Sequence, residues 1–435
     1  MTFQPTLEYA RQMDAQDPLR SFRDQYLFPQ HQGHNCLYFC GNSLGLQPKQ
    51  ARACIETELQ RWQKLGVEGH FEGELPWAQY HKALAPASAH IVGAQEEEVI
   101  VMNTLSVNLH LLMVSFYRPD AQRFKIIMEA GAFPSDQYAI ETQVRWHGYE
   151  PAEAIVEVAP RPGEMLLHTE DILTAIEQHG SQTALVLFAG LNYYTGQVYD
   201  MPAITKAGHS AGAYVGFDLA HAAGNVPLHL HDWGVDFAVW CTYKYINSGP
   251  GALGGVFIHA NHAYNKDLPR FAGWWGHNEE RRFLMEKGFD PIPGAAGWQL
   301  SNAPILAFAP MKASHDLFMQ ATMPALRAKS EHLTAYLEYL IDLLNADRPR
   351  FSIITPRDPA QRGAQLSILT GPEGKALFDY LAKNGVICDW REHNLPGEKG
   401  ETAGVIRVAP TPMYNSYEDV WCLVDLFDLF PGISI

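Results

Sequence analysis

Short apolar runs alternate with helical stretches from about residue 61 to about residue 306 of the chain. Runs of this length that are bounded by turn residues are typical of strands buried on both faces of a sheet. Because parallel neighbours need a crossover connection, strands that alternate with helices favour a parallel sheet. The pattern therefore predicts an α/β fold whose large domain contains a mainly parallel sheet. The strand-like runs are Lys125–Met128, Ala184–Phe188, Tyr214–Phe217, Phe237–Cys241 and Gly255–Ile258, and the helical stretches include Ser135–Val144 and Met201–Ala211.

The pattern changes after Pro310. A long amphipathic stretch, His315–Leu344, is followed by shorter strand-like runs, which predicts a smaller C-terminal α+β domain over residues 311–435. Residues 61–310 then form the large domain. Residues 1–60, polar at first and later rich in turn residues, form an N-terminal arm that we expect to belong in part to the small domain. The runs of the small domain are Phe351–Ile354, Gln365–Leu369 and Val405–Val408.

Composition places the chain among ordinary globular proteins. Of its 435 residues, 47% are hydrophobic and 18% are charged, so a sizeable core is available. The formal net charge of −16 argues against a general affinity for nucleic acid or for an anionic membrane. We therefore expect a small molecule as the partner, with no nucleic acid and no membrane.

Cysteine usage and the lengths of the apolar runs indicate a reduced, cytoplasmic protein. The six cysteines form no Cys-x-x-Cys pair, and the N-terminus lacks the apolar run of a signal peptide. The best candidate for a membrane span, Leu109–Phe116, falls far short of the roughly 18 apolar residues that a spanning helix needs.

An aspartate and a lysine each follow a strand-like run. Asp218 comes directly after Tyr214–Phe217, and Lys244 comes shortly after Phe237–Cys241. Open α/β sheets bind ligands at the C-terminal ends of their strands, so we expect both side chains to face one site. Pyridoxal phosphate needs a lysine that holds its aldehyde as a Schiff base and a carboxylate that keeps its pyridine nitrogen protonated. The pair therefore predicts pyridoxal phosphate as the cofactor, with Lys244 and Asp218 in these two roles.

Taken alone, each of the two residues has a simpler interpretation. An aspartate after a strand often caps a helix or a turn, and a lysine is usually a solvated surface charge. The surroundings of Lys244 favour the catalytic interpretation, because the chain there is apolar and continues into the glycine-rich segment Ser248–Gly255. That segment lacks the Gly-Lys-Ser/Thr ending of a nucleotide-binding loop, so we expect it to let the backbone pass close to the site.

Two further segments could contact the cofactor. Ser106 could open a helix whose free N–H groups hold a phosphate, although an N-capped core helix fits the same residues. Phe133 follows the run that ends near Met128 and could stack on a pyridine ring. Ser135 or Asp136 could instead cap the next helix, with Phe133 as its hydrophobic staple. Both interpretations of this second segment can hold together.

Histidines and one arginine complete the candidate chemistry. His209, His221, His229 and His231 are close in the sequence but lack regular metal-ligand spacing, so no metal is predicted. His221 is better interpreted as a polar neighbour of the cofactor. Arg407 stands in an apolar strand, where its guanidinium could bind a substrate carboxylate or form a structural ion pair.

Together these segments resemble one family closely: kynureninase, a fold-type-I pyridoxal phosphate hydrolase. The resemblance runs from about Leu37 to about Ser416, almost the whole chain. Other pyridoxal phosphate enzymes share the aspartate and the lysine but not the full set of segments. The resemblance rests on Gly41–Leu46, Phe133–Asp136, Tyr193–Gln197, Asp218–Asn225, His231–Asp236 and the pair Ser301–Asn302.

The resemblance implies a role toward the cofactor for each matching residue. Lys244 would carry the cofactor as an internal aldimine, Asp218 would pair with the pyridine nitrogen, and Phe133 would stack on the ring. Tyr243 would contact the phosphate and could shuttle a proton. The other implied cofactor contacts are Leu105, Ser106, Pro134, Ser135, Asp136 and His221, with Trp274 and Asn302 contributed across the interface of a homodimer.

The implied reaction is hydrolytic cleavage of the β,γ carbon–carbon bond of L-kynurenine, or its 3-hydroxy form, to anthranilate, or 3-hydroxyanthranilate, and L-alanine. Arg407 would hold the substrate α-carboxylate, and His70 and Asn302 would lie near the aryl ketone. Ala189 is a departure, because some family members carry a hydroxyl group there. The sequence leaves open which substrate is preferred, and whether the role is tryptophan breakdown or the supply of an NAD precursor.

Two other functions fit part of the pattern. A different fold-type-I enzyme, such as a cysteine desulfurase or an aminotransferase, would also use Asp218 and Lys244. A desulfurase needs a mobile cysteine, however, and Cys388 and Cys422 carry no loop signature for that role. A non-catalytic pyridoxal-binding protein is the second alternative, and an arginine suited to a substrate carboxylate, Arg407, argues against it.

Overall fold

Seven strands form the central sheet of the computed structural model, in which residues 3–347, 349–392 and 404–431 are described. Six strands run in one direction, while Gly254–Ile258 runs antiparallel to both of its neighbours. The mainly parallel sheet predicted from the sequence is thus confirmed. From one edge to the other, the strands are Val99–Met102, Gly254–Ile258, Phe237–Cys241, Tyr214–Asp218, Thr183–Ala189, Lys125–Glu129 and Ile155–Val158.

The alternation of side chains along each strand explains why helices cover both faces of this sheet. In the strand Thr183–Ala189, Val186 and Phe188 join the apolar cluster on one face, and Leu185 and Leu187 join the cluster on the other. Successive side chains of a strand point to opposite faces, so an uninterrupted apolar run needs cover on both. The helices are Ala51–Leu65, Ala85–Val92, Leu105–Phe116, Pro134–Trp146, Thr169–His179, Met201–Ser210 and Ile305–Ala321, with shorter ones at Pro151–Ala154, Leu230–Trp233 and Ala260–Ala263.

The five strands predicted for this sheet are observed, each within one residue of its predicted ends. The two strands at the edges of the sheet, Val99–Met102 and Ile155–Val158, are not predicted. Both contain only four residues, and three of the four residues in Ile155–Val158 are not fully buried. The apolar signal of Ile155–Val158 is therefore weak, whereas Val99–Met102 is apolar and buried throughout but short.

A four-stranded antiparallel sheet forms the second unit, which confirms the smaller C-terminal α+β domain. Gly404–Val408 lies between Leu366–Thr370 and Asp389–Glu392, and Phe351–Ile353 lies at an edge. Apolar side chains from one face of this sheet form a core with the helices of the unit. Those helices are Met323–Asp347, Gly374–Lys383 and Tyr417–Asp428.

The N-terminal segment packs against this second unit. Helix Leu7–Gln16 lies beside helix Tyr417–Asp428, and the short strand Leu37–Tyr38 pairs in parallel with Val386–Ile387. Parts of residues 1–60 thus contact the small domain, and their assignment in part to that domain is a prediction. The domain limits at residues 60 and 310 stay predictions, and helix Ile305–Ala321 crosses the second of them.

The amphipathic stretch predicted over His315–Leu344 belongs to two helices. Ile305–Ala321 ends at Thr322, whose φ of 64° lies in the left-handed region, and Met323–Asp347 follows directly. A β-branched residue seldom adopts that conformation, but Pro324 stands two positions later, where proline suits the first turn of a new helix. The prediction of one continuous stretch missed this signal. Within the described ranges, no helix is both long enough and apolar enough to cross a membrane.

Polar side chains gather at one edge of the large sheet. Three neighbouring parallel strands end at Cys241, Asp218 and Ala189, and the next one ends at Glu129. Because these strands run in one direction, their C-terminal ends meet along the same edge. The candidate site is built there.

Candidate active site

A cavity of about 200 Å³ opens at this edge of the large sheet. Most of the residues that the sequence singled out for chemistry line it together. The predicted residues in the lining are Leu105, Ser106, Phe133, Ser135, Asp136, Asp218, His221, Tyr243 and Lys244. The lining also contains Glu129, Ala189, Leu191, Tyr193, Ala220 and Cys241.

Lys244 lies in the turn after the strand Phe237–Cys241. Its Nζ atom is 2.9 Å from Nε2 of His221 and 5.8 Å from the centre of the Phe133 ring. Tyr243, the residue before it, also faces the cavity. Burial, followed by the neighbouring Cys241 thiol, raises the pKa of the Tyr243 phenol, so this residue keeps its proton at neutral pH. The turn thus presents an amine and a phenol side by side.

A glycine from the N-terminal arm supports the Lys244 turn. The N–H of Gly45 donates to the carbonyl oxygen of Tyr243 at 2.8 Å. A side chain at Gly45 would place its first carbon 2.5 Å from the carbonyl oxygen of Lys244 and 2.1 Å from Oδ1 of Asn247. Only a residue without a Cβ allows the two backbone segments to approach this closely. The Gly41–Leu46 segment therefore acts on the site by holding the lysine turn in place.

Asp218 and Asp136 form a buried carboxyl pair. Burial raises the pKa of Asp218, although a hydrogen bond from Asp136, the N–H of Ala220 at 2.7 Å and the charge of Lys244 partly offset this effect. Burial and the adjacent Asp218 raise the pKa of Asp136 well above its usual range. Asp136 is thus the member that keeps a proton, and Asp218 is the acceptor that carries the negative charge.

Glu129 is a third carboxyl group in the cavity, and sequence reasoning missed it. The side chain is 2% exposed, and its two oxygens accept the N–H of Ala189 at 3.1 and 3.2 Å. Burial raises its pKa to about 7, against the lowering effect of backbone N–H groups. Glu129 ends a parallel strand just as Asp218 does, and this shared position is the signal that could have identified it. Ala189 has no hydroxyl group, and the consequence of that departure stays a prediction.

His221 is buried between the acidic and the basic residues. Burial, followed by the positive charges of Lys244, Arg407 and Arg391, holds its pKa well below the usual range, so the imidazole is neutral. Its Nε2 contacts Lys244, but its Nδ1 is buried without a hydrogen-bond partner among the described residues. A buried polar atom of this kind usually has a partner, so Nδ1 is suited to bind a ligand of the cavity.

The helix Leu105–Phe116 begins at the cavity wall. Its N-cap is Thr104, whose side chain makes no capping hydrogen bond, so the first N–H groups of the helix are available to an anion. Ser106 therefore lies within the first turn rather than at the cap. A Cβ on Gly254 would lie 3.1 Å from the backbone nitrogen of Leu105, so this glycine lets the helix start pack close to the sheet. The same helix buries apolar residues, so the core and phosphate interpretations are compatible.

The segment Phe133–Asp136 lies at the start of a helix, but the capping role predicted for Ser135 or Asp136 is wrong, because both residues lie within the helix and its N-cap makes no side-chain hydrogen bond. The contact of Phe133 with the cofactor stays a prediction. Phe133 is the N-cap residue of the helix Pro134–Trp146, with Pro134 at its first position. The Phe133 ring is 43% exposed and meets the Tyr193 ring edge-on at 5.2 Å. Ser135 donates to Asp136 at 3.3 Å. Pro134 does not line the cavity and instead starts the helix that carries the segment.

Besides Pro134, four predicted site residues lie outside the lining of the cavity. Arg407 approaches it indirectly, because its Nη1 donates to the carbonyl oxygen of the lining residue Tyr193 at 2.7 Å. His70 and Trp274 belong to the surface, where Phe71, next to His70, contacts Phe283 at 6.0 Å, and Phe283 contacts Trp274 at 5.4 Å. Asn302 is exposed. Their roles stay predictions.

The histidines that the sequence raised as metal candidates lie in separate places. His221 faces the cavity, and His209 donates to Asp236 at 2.9 Å. His231 lies with Glu98 and His259, and the potential ligand atoms of these three residues lie within 4.8 Å of one another. Hydrogen bonds already engage this group, because Glu98 accepts from His231 at 2.9 Å and from backbone N–H groups. His229 is exposed.

A larger cleft of about 380 Å³ lies between the N-terminal segment and the small domain. Two ion pairs lie within its lining: Lys329 with Asp17 at 2.7 Å, and Arg23 with Asp419 at 2.6 Å. Cys422 is the one thiol among its described lining residues, and burial raises the pKa of this thiol to about 11, so it is not an activated nucleophile. We interpret the cleft as a structural contact between the N-terminal segment and the small domain.

Solved structures of other proteins share this fold. A cysteine desulfurase from Escherichia coli has a TM-score of 0.74 at 18% identity, with 98% of each chain covered. A cysteine desulfurase from Thermococcus onnurineus NA1 has a TM-score of 0.73 at 16% identity, with 92% of this chain and 95% of that chain covered. At such low identity the likeness shows the fold alone, and the fold-type-I prediction is confirmed.

Sequence comparison identifies the family. The model of the kynureninase C-terminal domain matches residues 326–427. A kynureninase from Flavobacterium johnsoniae is 55% identical over 422 residues, which are 97% of each chain. One from Myxococcus xanthus is 56% identical over 423 residues, covering 97% of this chain and 96% of the relative. Because this identity extends over nearly the full length of both proteins, the resemblance of the motifs is confirmed: the chain belongs to the kynureninase family.

Proposed function

We propose that the chain is a pyridoxal phosphate-dependent hydrolase that cleaves the β,γ carbon–carbon bond of L-kynurenine or 3-hydroxy-L-kynurenine. The products are anthranilate or 3-hydroxyanthranilate and L-alanine. Membership in the kynureninase family supports this reaction. At the level of residues, the proposal rests on one observation: the Lys244 amine, a neutral His221 and the Asp218 carboxylate meet in one cavity.

The residues of the cavity fit pyridoxal phosphate. Free N–H groups at the start of the helix Leu105–Phe116 suit a phosphate, and Asp218 suits a pyridinium nitrogen. The buried Nδ1 of His221 would gain the hydrogen-bond partner that the described residues do not supply. Lys244 provides the primary amine that an aldehyde needs. When bound, the cofactor supplies a carbon that captures amino groups and a ring that accepts electrons.

The three carboxyl groups differ in the charge that they would carry beside the ring nitrogen. Asp136 holds its proton, and Glu129 has a pKa of about 7, while Asp218 accepts hydrogen bonds that favour its ionised form. Below about pH 7, where Glu129 is also protonated, a single carboxylate would face a single pyridinium, which is the balanced arrangement in a buried site.

Lys244 and Tyr243 are assigned the proton transfers. The Lys244 amine would move the proton of the substrate α-carbon, and His221 would accept a hydrogen bond from that amine and hold it in position. Tyr243 retains its phenol proton and would donate it to the substrate during bond cleavage. Both side chains come from one turn, so their relative position is fixed by the backbone.

The aryl end of the substrate would be bound by residues of a second copy of the chain. His70, Trp274 and Asn302 do not line the cavity of their own chain, and Trp274 is 48% exposed although it is a large aromatic residue. A homodimer in which these residues complete the neighbouring site accounts for this exposure. Arg407 would bind the α-carboxylate from within the same chain.

A cytoplasmic location completes the proposal. All six cysteines are free thiols, as in a reducing compartment. Both tryptophan breakdown and the supply of an NAD precursor are compatible with the reaction.

The test is the fluorescence of released anthranilate when the pyridoxal phosphate-loaded protein meets L-kynurenine, with 3-hydroxy-L-kynurenine run in parallel. We expect release in the wild type and its loss in Lys244→Ala, because no other amine lies among the described residues that line the cavity. Normal turnover by Lys244→Ala would refute the assignment.

A sulfide assay with L-cysteine serves as the control for the desulfurase alternative. Cys388 is buried, and burial raises the pKa of its thiol, so it is not the mobile nucleophile that a desulfurase needs. We expect no sulfide, and rapid sulfide release would favour the alternative.

A further inference from the structure

Two arginines share one carboxylate oxygen beside the cavity. Oδ2 of Asp389 accepts a hydrogen bond from Nε of Arg407 at 2.6 Å and a second one from Nη2 of the same guanidinium. It also accepts Nε of Arg391 at 2.9 Å. Two positive charges therefore converge on a single negative charge.

The pairing of strands brings these three side chains to one face of the small-domain sheet. Asp389 lies directly opposite Arg407 in neighbouring antiparallel strands, so both side chains point to the same face. Arg391 follows Asp389 by two positions in its strand, which places it on that face as well. The arrangement is thus built on rigid elements.

This face is turned toward the cavity. Arg407 donates to the carbonyl oxygen of Tyr193, and Ser367, its strand neighbour on the other side, donates to the carbonyl oxygen of Tyr194 at 2.6 Å. Tyr193 lines the cavity. After burial and Lys244, both Arg407 and Arg391 contribute to the lowered pKa of His221. The charge of Arg391 therefore reaches the cavity, as that of Arg407 does.

Asp389, Arg407 and Arg391 together carry a net positive charge, which suits an anionic ligand. Arg407 is 2% exposed, and a buried guanidinium needs a carboxylate partner, which Asp389 provides. If a substrate carboxylate also paired with Arg407, two anions would face one buried cation. Arg391 removes this conflict, because two guanidinium groups can then balance two carboxylates.

We propose that Arg391 is a second arginine of the α-carboxylate site, which binds the substrate carboxylate together with Arg407, while Asp389 positions both guanidinium groups. This inference rests on the proposed function, since it concerns the amino-acid end of that substrate. The Arg391 side chain is 41% exposed, so it can be replaced without opening a buried cavity.

The test uses the pyridoxal phosphate-loaded enzyme and its two products as probes. L-Alanine carries the α-carboxylate, whereas anthranilate carries only the carboxylate on its ring. In Arg391→Gln we expect inhibition by L-alanine to weaken about tenfold, because a charge-assisted hydrogen bond is lost. The KM for L-kynurenine should rise by a similar factor, with kcat changed less than about twofold and inhibition by anthranilate unchanged.

Two variants control for a merely structural effect. Arg391→Lys keeps the positive charge and should recover much of the L-alanine binding. Arg161→Gln removes a comparable exposed arginine, which pairs with Asp171 at 2.7 Å, and should leave all four quantities unchanged.

Unchanged inhibition by L-alanine in Arg391→Gln, or equal weakening for both products, would overturn the inference. Anthranilate release by the wild type tests the proposed function separately. A failure of one is therefore distinguishable from a failure of the other.

Discussion

The Nζ atom of Lys244 lies 2.9 Å from Nε2 of a histidine, His221, that is held neutral. Burial and three nearby cations lower the pKa of this imidazole, so it accepts a hydrogen bond from the lysine instead of repelling it. Its other nitrogen, Nδ1, is buried and has no hydrogen-bond partner among the described residues. His221 thus connects the reactive amine to whatever the cavity binds.

Two replacements of His221 should distinguish the effect of its hydrogen bonds on activity from the effect of its side-chain volume. We expect His221→Leu to lower kcat/KM for L-kynurenine by about tenfold or more, because both polar contacts are lost. His221→Gln, which retains an acceptor, should lose less. Anthranilate fluorescence gives the rates, and the exposed His229→Leu is the matched control. Equal activity of the Leu and Gln variants would contradict a role in hydrogen bonding.

Glu129 makes the stability of the cofactor-free protein depend on pH. Its folded-state pKa is about 7 against an ordinary value of 4.5, so between these values the folded protein binds more protons than the unfolded chain. The free energy of unfolding therefore falls as pH rises through this window, by about 3 kcal/mol in total.

Glu129→Gln removes this titration. Urea unfolding should find the variant more stable than the wild type at about pH 8 and closely similar at about pH 5. Glu153→Gln, at an exposed position, should match the wild type at both. A difference between Glu129→Gln and the wild type that does not change with pH would show that the carboxyl group does not titrate in this range.

Gly45→Ala should disturb the lysine turn from a distance along the chain. The new methyl group would lie 2.5 Å from the carbonyl oxygen of Lys244, so one of the two backbone segments must move. We expect kcat to fall at least about tenfold, since a small misplacement of a catalytic group has a large effect on rate. Gly371→Ala, where a Cβ meets nothing within 4 Å, is the control, and equal kcat in the two variants would contradict the role of Gly45.

Much of the large domain follows from local sequence. The five predicted strands are uninterrupted apolar runs, because a central strand must bury both of its faces. An edge strand such as Ile155–Val158 has less of its surface buried, so its apolar sequence signal is weaker. The break at Thr322 had a local signal that the prediction did not use, because Pro324 follows it by two positions and suits the first turn of a new helix.

The site was predictable where chemistry follows a strand end, and less so where the fold joins distant segments. Asp218 and Lys244 follow strong strands, and both face the cavity. The contacts of Tyr193 with Arg407, and of Asp389 with Arg391, depend on how the small domain packs and on strand register. Local sequence patterns do not contain that information. The position of Glu129 at a strand end, by contrast, is a local feature of the sequence.

The opposed charges of the cavity give it an internal electric field. The carboxylate of Asp218 lies in the cavity lining, and the positive charges of Arg407 and Arg391 act on His221, another residue of the lining. An amino acid is itself a dipole, with its ammonium and carboxylate groups at neighbouring atoms. The field would turn such a molecule so that its carboxylate leads toward the arginines before any contact is made. The enzyme would thereby select the orientation of an incoming zwitterion during its approach, so that a larger fraction of encounters leads to binding.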